Sequence, residues 1–267
     1  MLERGNIVVI DIETLRSAED CGSCGARESS HVRAPMVGGH LEALRCYAGS
    51  PGPGFQPIGW GNPAALGLSI GCYWSYADSR CHFFDVYTLE EMIRGWVKKQ
   101  PLLVSFNGIA FDFPLMQGLL REQANRVGLN DVLAGQETRT IDRTADYAGA
   151  LIALCDAFAG LVARSYDVLA EIWKVDPQRK FERGLNSLDA IAQANGLGPK
   201  LSHGAQAPRD WQDGRYASAI NYCQDDVYKT KTLFELVCAG QPILRGDGQP
   251  IGLRLPFPAE ESPNATP

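Results

Sequence analysis

The sequence predicts an α/β fold, in which a sheet-forming first half is followed by a mainly helical second half. Three observations predict it. Residues 6–12 are an apolar run ending in acidic residues, which indicates a first strand. Residues 65–76 and 80–87 have strand character and are separated by the turn residues 77–79. From Asp112 onward, apolar residues recur mainly at helical spacing.

The remaining elements follow in chain order. Residues 89–99 have helical spacing, and residues 102–106 form a short apolar strand after Pro101. Further helices are expected over 113–127, 145–163, 166–173, 187–195 and 216–237. Gly196 follows the fourth of these helices, as a C-terminal cap should. We expect one domain over 1–240, and a C-terminal hairpin and tail over 241–267.

Composition and charge exclude several classes of protein. Of the 267 residues, 45% are hydrophobic and 21% are charged, which argues against a disordered chain or a coiled coil. The net charge of −6 excludes a generic basic protein that coats nucleic acid. No uninterrupted apolar run reaches the ~18 residues of a membrane span, and the N-terminus lacks signal-peptide features. The sequence therefore predicts a cytoplasmic protein, whose eight cysteines are thiols or metal ligands.

Residues 17–63 contain Gly, Pro and Cys and show only weak periodicity, as loops do. The segment is too long for a plain loop in a compact domain, which predicts an ordered insertion or a functional flap. Two interpretations stay open: a zinc-knuckle-like subdomain with structural Zn²⁺, or free thiols in a mobile loop. Cys46 could replace either histidine of the zinc set. The candidate zinc ligands are Cys21, Cys24, His31 and His40.

Two carboxylates end the first predicted strand. Asp11 and Glu13 are two residues apart, so their side chains project from the same face. Carboxylates this close repel each other unless a cation lies between them, and hard oxygen ligands suit Mg²⁺ or Mn²⁺. Taken alone, the pair is better explained by a solvated strand end, because about one Asp-x-Glu is expected by chance in such a chain.

Two further motifs place carboxylates on helices. Residues 107–112, Asn-Gly-Ile-Ala-Phe-Asp, join the strand 102–106 to a helix. Asp112 opens that helix, where the helix dipole favours a carboxylate, although a simple N-cap gives the same pattern. Tyr222 and Asp226 are four residues apart and share one face of the last long helix.

In this order the three motifs resemble those of the DEDD, or DnaQ-like, 3′–5′ exonucleases of the ribonuclease H-like superfamily. The tyrosine is similar to that of the DEDDy branch, which includes RNase D and polymerase proofreading domains; the other branch needs His where this chain has Asn221. The resemblance implies a ribonuclease H-like fold with a mixed sheet flanked by helices. The stretches that resemble stand-alone relatives of family B polymerase proofreading domains are 166–169, 185–192 and 196–200.

The resemblance also implies metal-dependent hydrolysis of terminal phosphodiesters with two Mg²⁺ or Mn²⁺ ions. One cation lowers the pKa of the attacking water, and the other stabilises the leaving 3′-oxygen. Tyr222 is expected to orient the water, since a phenol with a pKa near 10 is a poor general base at neutral pH. The carboxylates assigned to the cations are Asp11, Glu13, Asp112 and Asp226.

By the same resemblance, four residues should hold the terminal nucleotide: Thr14, Leu15, Asn107 and Phe111. The expected substrate is the 3′ end of single-stranded DNA, with little base preference because stacking tolerates sequence. One alternative is RNA, which proteins distinguish by contacts to the 2′-hydroxyl. The other is a non-catalytic nucleic-acid-binding or scaffold subunit that uses the Cys/His insertion as its contact surface.

Overall fold

The structure is a computed structural model that describes residues 5–20, 57–134, 138–182, 184–201 and 206–257. Its central element is a mixed five-stranded sheet with the strand order β3-β2-β1-β4-β5. The strands are β1 (Ile7–Thr14), β2 (Leu68–Ser75), β3 (Arg80–Phe84), β4 (Leu102–Ser105) and β5 (Tyr166–Asp167). Strands β1, β2 and β3 pair antiparallel, whereas β4 pairs parallel with both β1 and β5. This confirms the predicted α/β class and mixed sheet, and it is compatible with the ribonuclease H-like fold.

Helices flank the sheet. They are α1 (Pro63–Leu66), α2 (Leu89–Lys99), α3 (Asp112–Ala134), α4 (Thr138–Val162), α5 (Val168–Val175), α6 (Leu188–Ala194), α7 (Ala207–Gln212) and α8 (Tyr216–Cys238). A second, two-stranded sheet pairs β6 (Ile243–Leu244) with β7 (Pro250–Ile251) in antiparallel register. The zinc ligands predicted at Cys21, Cys24, His31 and His40, and the alternative ligand Cys46, lie outside the described residues.

Several elements differ from the sequence prediction. Helix α3 extends well past the predicted end at 127, α4 begins seven residues before the predicted 145, α7 was not predicted, and two segments begin as a different type of element. The predicted strand 65–76 begins as helix α1, because Pro63 occupies a first-turn position and supplies a backbone angle suited to a helix start. The predicted helix 166–173 begins instead as strand β5, because Tyr166 and Asp167 pair with the end of β4. The first difference has a local cause, whereas the second depends on a contact with a strand that is distant in the sequence.

Alternation along β1 divides the core into two layers. Val8, Ile10 and Ile12 belong to one buried cluster, which also contains apolar residues of α2, α3 and α4. Ile7 and Val9 belong to the other, which is formed with α5, α6 and α8. Because side chains alternate along a strand, Asp11 and Glu13, the odd-numbered residues that follow Val9, also lie on the face of β1 that is directed toward α8.

Helix α4 contains a stretch, Ala145–Val162, that is long and apolar enough to cross a membrane by length and composition alone. Two aspartates interrupt its apolar sequence, at positions 146 and 156. In the structure, Leu151, Leu154 and Phe158 of this stretch are buried in the cluster between α4 and the sheet. The stretch therefore packs as an amphipathic core helix in this domain.

The two chain ends that border residues 21–56 lie side by side. The Ile58 amide donates to the Asp20 carbonyl at 2.9 Å, and the Gly59 amide donates to the Ala18 carbonyl at 2.8 Å. The Asp20 carboxylate also accepts a hydrogen bond from the Gln212 side chain on α7 at 3.0 Å. The chain thus leaves and re-enters the described domain at a single point beside α7, close to the end of β1.

Candidate active site

Strand β1 carries the first two predicted site residues toward helix α8. Glu13 is buried and Asp11 is half-buried. The pairing of β1 with β2 shifts between Glu13 and Thr14, where Ser69 of β2 is the extra residue, so the regular pairing is interrupted at the end of β1 that carries the carboxylates. Ligand atoms of Asp11, Glu13 and the Cys223 thiol lie within 4.8 Å of one another. The face of β1 that turns toward α8 therefore ends in a compact acidic group.

Asp167 holds the loop that carries the second motif. Its carboxylate accepts hydrogen bonds from the Ser105 hydroxyl at 3.0 Å, the Asn107 amide at 3.1 Å and the Ile109 amide at 3.0 Å. It also caps α5 by accepting from the Ala170 amide at 2.9 Å. One buried carboxylate thus joins the end of β4, the loop after it and the start of α5. These hydrogen bonds fix the backbone of the loop that leads to Asp112.

Gly108 is the tightest point of this loop. A Cβ atom at this position would lie 2.5 Å from the Ser105 Cβ and 3.0 Å from Asp112 Oδ2. The preceding residue, Asn107, has a φ of 70°, in the left-handed region that asparagine tolerates better than most residues. A side chain at position 108 would therefore collide with Ser105 and come close to the Asp112 carboxylate, so glycine at this position lets the loop pass close to both residues.

Helix α8 supplies the third motif. Tyr222 and Asp226 are buried one turn apart, on the face that packs against the sheet. The Oδ1 atom of Asp226 is buried and has no hydrogen-bond partner among the described residues. An unpartnered buried carboxylate oxygen is costly unless a ligand or cation satisfies it.

Lys200 is the cation that the structure places in this acidic group. Its ammonium donates to the Tyr222 hydroxyl at 3.0 Å and forms an ion pair with Asp226. The backbone around it is fixed from two helices: the Lys200 amide donates to Asp189 of α6 at 2.7 Å, and the Lys229 ammonium of α8 donates to the Pro199 carbonyl at 3.1 Å. Lys200 ends the stretch 196–200, and its place in the acidic group was not predicted from the sequence.

The charges of the site shift the protonation of its members. Burial, followed by repulsion from neighbouring carboxylates, raises the pKa of Asp11, Glu13 and Asp112 well above their usual range. Burial also raises the pKa of Asp226, although Lys200 opposes the shift. Lys200 therefore neutralises only part of the negative charge, and the site is suited to additional cations.

The protonation states of Tyr222 and Lys200 also follow from their surroundings. Burial raises the pKa of Tyr222 above its usual value, and the charge of Asp226 raises it further. The phenol therefore stays protonated at neutral pH, as a water-orienting role requires. Burial alone would lower the pKa of Lys200, but the charge of Asp226 and the hydrogen bond to its carboxylate raise it above the usual value, so the ammonium stays charged.

These groups share one cleft of about 470 Å³. All five residues predicted to act in catalysis line it: Asp11, Glu13, Asp112, Tyr222 and Asp226. Three of the four residues predicted to hold the terminal nucleotide also line it, namely Thr14, Asn107 and Phe111. Leu15 does not line it; its amide donates to the Gly67 carbonyl at 3.1 Å and its side chain lies against Gly67.

The cleft also contains residues to which the sequence assigned no role, including Trp60, Phe106, Asn186 and Lys200. Asn186 and Lys200 lie in the stretches 185–192 and 196–200 that resemble polymerase-related exonucleases, whereas no local signal marked Trp60. Asp167 was detectable in principle, since an Asp immediately before an apolar helical segment is typical of an N-cap. Its contacts with the loop after β4 depend on the parallel pairing of β4 and β5, which the sequence does not reveal.

Comparison with known proteins agrees with this geometry. Residues 83–241 match a family described as a predicted 3′–5′ exonuclease related to the exonuclease domain of PolB. The match spans more than half of the chain and includes the second and third motifs. Asp11 and Glu13 precede it, so their place in the site rests on the fold. No curated protein and no solved structure matches the chain significantly.

Proposed function

The chain belongs to the family of predicted 3′–5′ exonucleases related to the exonuclease domain of PolB, and we propose that it hydrolyses single-stranded DNA from the 3′ end in a reaction that uses two divalent cations. The observation that carries this proposal is the convergence of four carboxylates from three separate elements in one cleft, with raised pKa values at each. A purely structural site would pair these charges, since unpaired buried carboxylates destabilise a fold.

The residues present fit Mg²⁺ or Mn²⁺. The donors are carboxylate oxygens, which these hard cations prefer, and Asp226 Oδ1 is a buried oxygen without a partner. The ligands we assign are Asp11, Glu13, Asp112 and Asp226. The Cys223 thiol donates to the Asp11 carbonyl at 3.4 Å, and burial raises its pKa well above the usual value, so it is not offered as a thiolate. When bound, the cations would activate the attacking water and stabilise the leaving 3′-oxygen.

The other side chains position the reactants. The Tyr222 hydroxyl, protonated at neutral pH, orients the water rather than deprotonating it. Lys200 opposes the rise in the Asp226 pKa and so favours the charged form, which is the form that binds a cation. Thr14, Asn107 and Phe111 line the same cleft and hold the terminal nucleotide.

The proposal is tested with 5′-labelled single-stranded DNA and its RNA counterpart, each incubated with Mg²⁺, Mn²⁺ or EDTA. We expect a metal-dependent ladder that shortens DNA from the 3′ end and is abolished by Asp226→Ala. Asp156→Ala, which removes an exposed aspartate on α4, is the matched control and should leave the ladder unchanged.

The same experiment separates the alternatives. Faster shortening of RNA than of DNA would assign the site to an exoribonuclease. Absence of shortening of either polymer with any of the metals would overturn the enzymatic proposal and favour a non-catalytic nucleic-acid-binding subunit.

A further inference from the structure

Trp60 is an exposed aromatic residue at the edge of the cleft. Its side chain is 68% exposed, yet it lines the same cleft as the carboxylates. An indole left in water contributes little to the stability of the fold, because the hydrophobic effect rewards only the area removed from water. Exposure alone does not distinguish Trp60 from the other exposed aromatic side chains of the described residues, but Trp60 lines the cleft that contains the carboxylates and its ring lies beside that of Phe111.

Hydrogen bonds on both sides of Trp60 fix its backbone. On one side, the Gly59 amide donates to the Ala18 carbonyl at 2.8 Å, and the preceding Ile58 packs against the core. On the other side, the Ala65 amide donates to the Asn62 carbonyl at 3.1 Å at the start of α1. Trp60 therefore lies between two anchors, so it can bind a ligand without first ordering its own backbone.

The Trp60 ring forms a corner with Phe111. The two ring centroids are 5.8 Å apart and the ring planes are tilted by 58°. Phe111 immediately precedes Asp112, one of the assigned cation ligands. Phe106 and Leu169 line the same cleft and add apolar surface to it. One part of the cleft is thus acidic, as a phosphodiester with its cations requires, whereas another part is aromatic.

We propose that Trp60 and Phe111 form a nucleobase subsite, in which the unpaired bases nearest the 3′ end of a single strand stack on the exposed indole. The inference rests on the proposed function, since that function brings the scissile phosphate to the carboxylates. Every base has a π-face, so this subsite tolerates any sequence. It also makes no use of the 2′-hydroxyl, so it contributes equally to DNA and RNA.

A double-mutant cycle between the protein ring and the nucleobase tests the subsite. Binding of a 5′-fluorescein single-stranded oligonucleotide is measured by anisotropy, with Ca²⁺ in place of Mg²⁺ and Mn²⁺, and electrophoresis afterwards verifies that the strand is intact. The second oligonucleotide carries abasic residues at its last two 3′ positions. We expect Trp60→Ala to weaken binding of the normal strand by about tenfold, the size of one lost base stack.

The coupling is the decisive result. If the base stacks on Trp60, the abasic strand binds wild type at least tenfold more weakly than the normal strand, and this difference between the strands is about tenfold smaller in Trp60→Ala, where contacts with Phe111 remain. Trp60→Phe, which keeps a π-face, should retain most of the affinity, whereas Trp60→Leu should not. Tyr87→Ala removes a 90% exposed aromatic side chain outside the cleft and should change nothing.

Two outcomes would overturn the subsite while leaving the exonuclease intact: equal binding by wild type and Trp60→Ala, or a loss in Trp60→Ala that is identical for both strands. Urea unfolding of each variant accompanies the titrations, and Trp60→Leu replaces Trp60→Ala if the latter does not fold. The cycle measures binding alone, so failure of the hydrolysis assay would not be mistaken for failure of the subsite.

Discussion

Lys200 gives the acidic cleft a resident positive charge. Its side chain is largely buried, and its ammonium contacts Asp226 and Tyr222 together. Removing one partner of a buried ion pair leaves the other charge uncompensated, which costs more than the pair itself contributes. The dependence of the fold on Lys200 should therefore be strongest when no divalent cation is bound.

We expect Lys200→Met to lower the free energy of unfolding by about 3 kcal/mol in EDTA at pH 8, because Asp226 loses its counter-charge. Added Mn²⁺ should recover most of this loss, since a bound cation neutralises the same carboxylate. Urea unfolding followed by circular dichroism measures both effects. Arg126→Met removes an exposed pair with Glu122 and should cost less than about 1 kcal/mol. Equal losses in the two variants would show that Lys200 does not compensate the site.

Gly108 and Gly95 differ in the space that an added methyl group would occupy. At Gly108 a Cβ would lie 2.5 Å from the Ser105 side chain, whereas at Gly95 within α2 nothing lies within 4 Å. The same substitution should therefore have opposite effects at the two positions.

We predict that Gly108→Ala lowers the free energy of unfolding by about 1–3 kcal/mol and displaces Asp112, with more than tenfold loss of exonuclease rate. Gly95→Ala should raise stability by about 1 kcal/mol, because alanine is the better helix former, and should leave the rate unchanged. Thermal unfolding and the labelled-strand assay report the two effects separately. A Gly108→Ala variant as active as Gly95→Ala would contradict the tight fit described for this loop.

At the scale of elements, local sequence predicted structure where the element is defined by its own pattern. Helix α2 spans the predicted 89–99, because its apolar spacing and its flanking turn are both local. Strand β5 could not be predicted, since two residues become a strand only by pairing with β4. The same pairing brings Asp167 to the loop after β4, so the support of that loop was equally invisible in the sequence.

The paired ends at residues 18–20 and 57–59 allow a test at this scale. Replacing residues 21–56 by a short Gly-Ser turn should yield a folded domain, because the two ends already lie side by side. Shortening the connection should also reduce the entropy cost of closing it, by at most about 2 kcal/mol. Soluble expression and urea unfolding are the measurements, and an aggregated or unfolded product would show that the segment is part of the fold.

The shortened chain also allows a test of the zinc site, which stays a prediction. Metal analysis by mass spectrometry should find near-stoichiometric zinc in the full chain, and little in Cys24→Ser or the shortened chain. Cys238→Ser, at the exposed end of α8, is the control and should keep its zinc. Zinc-free wild-type protein would leave the cysteines of this segment as thiols.

For the whole molecule, the acidic cleft predicts an unusual dependence of stability on pH. Asp11, Glu13 and Asp112 have raised pKa values in the folded state, so the folded protein binds their protons more tightly than the unfolded chain does. Their contribution is therefore greatest below the unfolded pKa of about 4, and it is lost as the pH rises through the folded values. Divalent cations should reverse the effect, since they bind the charged form.

We expect Asp112→Asn, in EDTA, to be more stable than wild type at pH 8 and to differ less from it near pH 4. Saturating Mn²⁺ at pH 8 should stabilise wild type more than the variant. Urea unfolding across this pH range measures the difference, and Asp156→Asn on the surface of α4 serves as control. A constant difference between wild type and Asp112→Asn at all pH values would contradict the predicted linkage.

Across the molecule, motif order was more informative than any single motif. The sequence placed carboxylates at the end of one strand, at the start of one helix and on the face of another, and the fold brings all of them into one cleft. Lys200 and Trp60 reach the same cleft from segments without periodic patterns, because tertiary contacts at their neighbours fix them. The sequence patterns therefore indicated the carboxylates and the tyrosine of the cleft, whereas the position of Lys200 beside them and that of Trp60 at the edge required the structure.

The alternation of β1 makes this strand sensitive to length rather than to composition. Conservative exchanges among its apolar residues keep each side chain in its own layer. Inserting or deleting one residue between Val9 and Ile10 would turn Asp11 and Glu13 toward the cluster formed with α2, α3 and α4. Ile12 would turn toward α8. A single-codon insertion there should thus be more damaging than several simultaneous substitutions. Whether a β1 side chain faces one layer or the other depends only on whether its position in the strand is odd or even.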